Sequence, residues 1–264
     1  GVVDEIVNLG EFWDRKQLLK HKDEIISLTD QNSACYRDAY GHFALAKEIY
    51  NDLEQCYTEG MNFQLADYIA ETVIGEIFAS AAPTGGTGRE RHMFMGAATP
   101  EGPRHFYGNL TEGLKTRYIV KGGPGTGKST MMKKIARAAL EKGYDVELFH
   151  CAFAPESADM VLIPKLSVAM LDGTEPHVVD AALPGDHVID MFHCVDRLVY
   201  EKNADKIREI ELRYKTAMKE ATACLAEAKR IHDQLETYYV QAMDFDRLDK
   251  KCEEIYADIA AAIE

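Results

Sequence analysis

The chain predicts an α/β fold in which a parallel sheet with flanking helices surrounds a phosphate-binding loop, the build of a P-loop NTPase, with two related α-helical arms added to it. Three observations carry that prediction. Residues 122–129 read Gly-Gly-Pro-Gly-Thr-Gly-Lys-Ser, a complete G-x-x-x-x-G-K-[ST] element. Between residues 91 and 195, short β-branched and apolar runs alternate with a helical stripe, the pattern of strands crossing over through helices. Residues 4–79 match residues 186–261 without a gap at an offset of 182, with about twenty identities.

In chain order, residues 1–80 are expected to form a helical arm. Residues 14–82 hold few glycines and no proline, and apolar residues recur at three- and four-residue spacing. Residues 81–90, containing Pro83-Thr84-Gly85-Gly86-Thr87-Gly88, read as a flexible linker by composition. Residues 91–195 are the expected nucleotide unit. Residues 93–97 and 104–107 flank Thr99-Pro100-Glu101-Gly102-Pro103 and read as a hairpin beside the strand that leads into the glycine loop.

That strand is Arg117-Tyr118-Ile119-Val120-Lys121. The helix after the loop runs over residues 128–142, with Met131, Met132, Ile135, Ala136, Ala139 and Leu140 on one face and Gly143 as its cap. Strands at 144–150, 167–171 and 187–191 follow, and Pro155 lies in a loop after the first of them. Residues 196–264 repeat 14–80 as a second arm, with Asp14-Arg15 on Asp196-Arg197, Leu53-Glu54 on Leu235-Glu236, and Tyr57, Met61 and Phe63 on Tyr239, Met243 and Phe245. The second arm follows a phosphate-loop unit, so the first is expected to follow one too, which makes the chain read as part of a longer polypeptide with an upstream unit.

The loop specifies a ligand. Glycines let backbone N–H groups curl around a phosphate and the helix directs its positive end at the same anion. Gly122, Gly123, Pro124, Gly125, Thr126, Gly127, Lys128, Ser129 and Thr130 are therefore the expected contacts of ATP, with Lys128 on the β- and γ-oxygens and Ser129 on Mg²⁺. Val168-Ala169-Met170-Leu171-Asp172 is an apolar strand ending in a carboxylate, which nominates Asp172 as the second magnesium residue, with Asp190 of Val188-Ile189-Asp190 as its rival. Glu156 and Asp159, after a strand at the same edge, are candidates to polarise a water or an acceptor hydroxyl.

His150, Thr174 and His177 are candidate ligand contacts, and Arg197, Arg208 and Arg213 candidate arginine fingers, none preferred. Phe149-His150-Cys151 and Phe192-His193-Cys194 do not read as zinc sites, because neighbours on a strand point to opposite faces. Lys202-Asn203-Ala204-Asp205 has the letters of a guanine-reading element in the wrong order, so ATP is the expected nucleotide.

Composition sets the class. A chain of 264 residues with 46% hydrophobic content fills a sizeable core. It holds no apolar run of membrane-span length and no export signal, which suggests a cytoplasmic protein. Six scattered cysteines suit reduced thiols. A net charge of −14 argues against nucleic acid as a partner. The helical arms are the expected surface for a second copy or a protein partner.

His92-Met93-Phe94 with Thr99-Pro100-Glu101-Gly102, the run from Lys121 to Thr130, Phe149-His150-Cys151, Ile163-Pro164 and Asp172-Gly173-Thr174-Glu175-Pro176-His177 together resemble a bacterial family of poorly characterised ATPases with two phosphate-loop units. The resemblance runs along nearly the whole chain. It implies that residues 3–13 close a first unit, and it implies ATP binding and duplication. That family tends to carry an Asp-Pro-Asp-like loop after the His-Cys pair, where this chain has Ala154-Pro155-Glu156, a departure that weakens any role for the loop. Three functions are compatible: an ATPase whose hydrolysis moves the arms, a kinase that passes the γ-phosphate to a small acceptor, and a nucleotide-binding interaction module.

Overall fold

The computed structural model describes residues 6–263, and Val3, Asp4 and Glu5 of the stretch ascribed to a first unit lie outside them. The chain divides into two compact units, one of residues 39–222 and one of residues 1–38 with 223–264.

Within residues 39–222 a six-stranded sheet carries the architecture. Its strands are β1 (Glu90–Phe94), β4 (Thr116–Lys121), β5 (Val146–His150), β6 (Ala158–Ile163), β7 (Val168–Asp172) and β8 (Asp186–Asp190), in the order β1-β5-β6-β7-β4-β8. A separate hairpin pairs β2 (Gly96–Thr99) with β3 (Gly102–His105).

The predicted parallel sheet is corrected at one strand. β6 runs antiparallel to both β5 and β7, so the sheet is mixed. The cause is connection length, since a parallel return needs a crossover of about a dozen residues or more. The link from β5 to β6 is a tight loop closed by Cys151 N–H to Ser157 O (3.1 Å) and Ser157 N–H to Ala154 O (2.7 Å). β6 turns into β7 through the single 3₁₀ turn Pro164–Leu166 and a left-handed Ser167 at φ 55°. All six residues of β6 are buried, and its first two, Ala158 and Asp159, fall in the stretch expected to be loop.

The predicted hairpin exists but forms no ladder with β4, whose neighbours are β7 and β8. The edge partner of β5 is β1, a strand of its own whose last residues, Met93 and Phe94, fall in the expected first hairpin strand. Residues 81–88, read as flexible, are tied to the end of a helix: Thr84 N–H and Gly88 N–H donate to Lys142 and Leu140 carbonyls, and the Tyr144 hydroxyl to Ala82 O (2.6 Å).

That helix is α5 (Lys128–Glu141), directly after β4 and the glycine loop. Its buried stripe Met131, Met132, Ile135, Ala136 and Ala139 follows the 3.6-residue period, and Gly143 ends it at φ 81° as the sequence predicts. Outside α5 packs α3 (Phe63–Phe78), which buries Ala66, Ala70, Val73, Ile77 and Phe78 in the same core and pairs Asp67 with Lys134 at 2.5 Å. A four-residue helix α4 (Tyr107–Leu110) follows the hairpin.

The long helices α2 (Lys22–Thr58) and α6 (Arg197–Ala242) contribute segments to both units. Within residues 39–222 they share a cluster of Ala46, Ile49, Leu53, Ile207, Ile210 and Ala217. The other unit adds α1 (Arg15–Lys20), separated from α2 at His21, and α7 (Phe245–Ile263).

Equivalent bonds recur in the two units. Asp14 N–H donates to Ala242 O (2.7 Å) and Asp244 N–H to Phe12 O (2.8 Å); 182 residues on, Asp196 N–H donates to Gly60 O (2.7 Å) and Asn62 N–H to Cys194 O (2.7 Å). Bridges Trp13–Met243 and Met61–Val195 follow the same rule. No helix among the described residues is long and apolar enough to cross a membrane.

Candidate functional site

The site lies where β4 gives way to α5. Gly125 and Gly127 have φ of 74° and 87°, a left-handed region that a Cβ would strain, and their amides meet no protein acceptor among the described residues. Lys128 is buried, and its ammonium turns back to donate to Gly122 O (2.7 Å) and Gly123 O (2.8 Å). The Thr126 hydroxyl, fully buried, donates to Gly123 O and holds the loop's curl. Ser129 opens the helix with its hydroxyl accepting from Ala158 N–H (2.8 Å), and Thr130 beside it is exposed.

Two carboxylates converge on this corner. β7 and β8 both flank β4, so Asp172 stands beside Val120 and Asp190 beside Lys121, and adjacency alone does not choose between them. Their bonds do. Asp172 accepts from Thr174 N–H (2.9 Å) and from the Thr174 hydroxyl with one oxygen, and turns the other to Lys128 at 3.6 Å. Asp190 instead caps the 3₁₀ turn Met191–Cys194 by accepting from Phe192 N–H (2.9 Å), as Asn8 does for Gly10 N–H at the matching position.

Asp159 is the second carboxylate at the corner. Because β6 is antiparallel, its first residues lie at the edge where the parallel strands end. Burial first, and then the charge of Asp172, push the Asp159 carboxyl up to about 6, with Cys151 as a hydrogen-bond partner and Lys128 opposing the rise. The Cys151 thiol is pushed up to about 11 by its own burial and by Asp159. The Tyr107 hydroxyl donates to Asp159 O at 3.1 Å, and burial holds that phenol well above its ordinary range.

The other candidates are placed differently. Glu156 lies on the exposed β5–β6 loop, paired with Lys47 at 2.9 Å, and that cation holds its carboxyl below the usual range. His150 bonds His92 across β5 and β1 (2.8 Å) rather than the glycine loop. His177 meets His105 with rings 5.0 Å apart, both keep a buried Nδ1 without a partner, and burial lowers the pKa of His177. Arg197 and Arg208 pair along α6 with Glu201 and Asp205, and Arg213 is exposed on the same helix.

Sequence reasoning missed what covers the loop. A Cβ on Gly123 would lie 2.6 Å from the Tyr57 ring, and one on Gly125 would lie 2.6 Å from the Thr58 hydroxyl and 2.7 Å from Glu54 O. The last turn of α2 therefore rests on the glycine loop, and glycine is required there for close approach as well as for φ. The only signal in the sequence was the repeat, which keeps Glu54 and Tyr57 as Glu236 and Tyr239. Compared with known proteins, the chain matches no family model, no curated protein and no solved structure.

Proposed function

We propose that the chain binds ATP at residues 122–130 and hydrolyses it, with the helical arms as the moving parts. The observation that carries this reading is the buried Lys128 ammonium at the mouth of a loop whose Gly125 and Gly127 amides are unengaged. A buried cation held, among the described residues, by two carbonyls and by Asp172 at 3.6 Å, with the Asp159 carboxyl near it, is stabilised further by a polyphosphate, and free amides at a helix N-terminus supply the remaining donors.

Ser129 and Asp172 are the residues that would hold Mg²⁺, which when bound neutralises charge on the transferring phosphoryl group. The donor set suits that ion: a hydroxyl with a spare lone pair and a carboxylate oxygen facing Lys128. Asp159 is the group to orient a water and take its proton, since a carboxyl near 6 is ionised at neutral pH yet basic enough to accept. Glu156, bound to Lys47 away from Lys128, loses that role.

The recurrence of caps, bridges and hydrogen bonds at an offset of 182 supports two arms of shared descent. The seat of α2 on Gly123 and Gly125 supports coupling, because a loop that rearranges around phosphate displaces Tyr57 and Thr58. The six scattered cysteines suit a cytoplasmic setting. A kinase is the second reading, favoured by the unpartnered Nδ1 atoms of His105 and His177, which offer an acceptor polar contacts. Labelled ATP incubated with the chain, with and without cell extract, separates the two: release of free phosphate by the chain alone supports the ATPase, and label on an acceptor supports the kinase.

A further inference from the structure

The two arms match in burial at the middle of their long helices and part company toward their ends. Ala39 and Ala221 are both fully buried, as are Ala46 and Ala228, and Ile49 and Ile231 are nearly so. The last helices differ. α3 buries its apolar face on α5, whereas α7 holds no buried residue among those whose side chains are described: Ile77 is 9% exposed and its counterpart Ile259 56%, and buried Ala70 is matched by exposed Cys252.

The face itself is retained. Leu248, Cys252, Ile255 and Ile259 stand where α3 has Ala66, Ala70, Val73 and Ile77, so an apolar stripe survives, with Leu248 and Ile255 only half-buried and Cys252 and Ile259 exposed. The flanking charge is retained as well. Asp67 of α3 pairs with Lys134 of α5, and Asp249 occupies the same position on α7 with no ion pair among the described residues.

We propose that α7 docks a second α/β module of the same build as residues 83–195, through the helix that follows that module's glycine loop. The occupant is identified by what covers the matching face in this chain: an apolar helical stripe like that of α5 with a lysine placed to meet Asp249. Glu236 and Tyr239 near the end of α6 then stand to that module's glycine loop as Glu54 and Tyr57 stand to Gly125 and Gly123. The inference rests on the duplication proposed above and not on ATP turnover.

Two experiments test it. Hydrogen exchange on the intact chain should show α7 amides exchanging at least tenfold faster than those of α3; equal protection would mean the face is already covered and overturns the proposal. A chain with a further copy of residues 83–189 joined ahead of Asn8, the junction the repeat dictates, should then label at Cys252 at least tenfold more slowly with a thiol reagent. Asp249→Lys should restore labelling, and Lys134→Asp in the joined copy should suppress it again. Cys252 labelling at the rate of the unextended chain overturns the proposal. Loss of ATP turnover with Cys252 protection intact would count against the ATPase alone.

Discussion

Lys128 and Asp159 are opposite charges buried at one sheet edge, and their environments make their roles separable. The folded state raises the Asp159 carboxyl from 3.8 to about 6, so it holds its proton more tightly than the unfolded chain does. The group costs nothing below about pH 4, its penalty grows as pH climbs from 4 to 6, and above that it is constant at about 3 kcal/mol. Asp159→Asn should therefore be the more stable protein at pH 7.5 and lose that advantage at pH 4, as read by denaturant unfolding. The same variant should turn over ATP roughly a hundredfold or more slowly. Stability gained without activity lost would leave Asp159 no part in the chemistry. Asp186 runs the opposite way. Its enclosed carboxylate meets the Arg117 guanidinium at 2.7 Å through two oxygens and is held well below the carboxylate range, so its contribution is present above about pH 4 and lost as pH falls. Asp186→Asn strands a half-buried cation and should lower unfolding stability at pH 7 by about 3 kcal/mol.

At the scale of elements, β4, the glycine loop and α5 were legible because a complete loop motif, a β-branched strand and a 3.6-residue stripe agree. β6 was not. Pro155, Glu156 and Asp159 precede only four apolar residues, Met160 to Ile163, and its direction is set by the lengths of its connections rather than by its composition. The hairpin was legible from its turn, but its place beside β4 was misread because neither of its strands is fully buried on any face. Asp172 was legible as a strand-end carboxylate, whereas its preference over Asp190 needed the cap that Asp190 supplies. The seat of α2 on the loop shows only in three dimensions, and it makes the repeats unequal. Tyr57→Ala should cost about 3 kcal/mol of stability, since a buried ring leaves Gly123 uncovered, while Tyr239→Ala, at the matching but half-buried position, should cost distinctly less. Thermal unfolding of the two variants measures the difference, and equal losses would mean that the environments of the two tyrosines do not differ in the way their burial indicates.

Taken whole, the molecule joins an α/β unit to helices that recur at a fixed offset, and the end of one of them rests on the glycine loop of that unit. The chain carries a net charge of −14, and Lys128 lies buried in its glycine loop with Asp172 at 3.6 Å. The account stands on triphosphate chemistry at Lys128. The most direct measurement is Mg²⁺-dependent phosphate release from ATP by the intact chain between pH 5 and 8, alongside equilibrium ATP binding, for the native protein and for Lys128→Ala. The expected result is turnover that rises through about pH 6 as Asp159 ionises, with binding and turnover lost in Lys128→Ala while its unfolding transition is kept. Native-like ATP affinity in a folded Lys128→Ala would contradict the account.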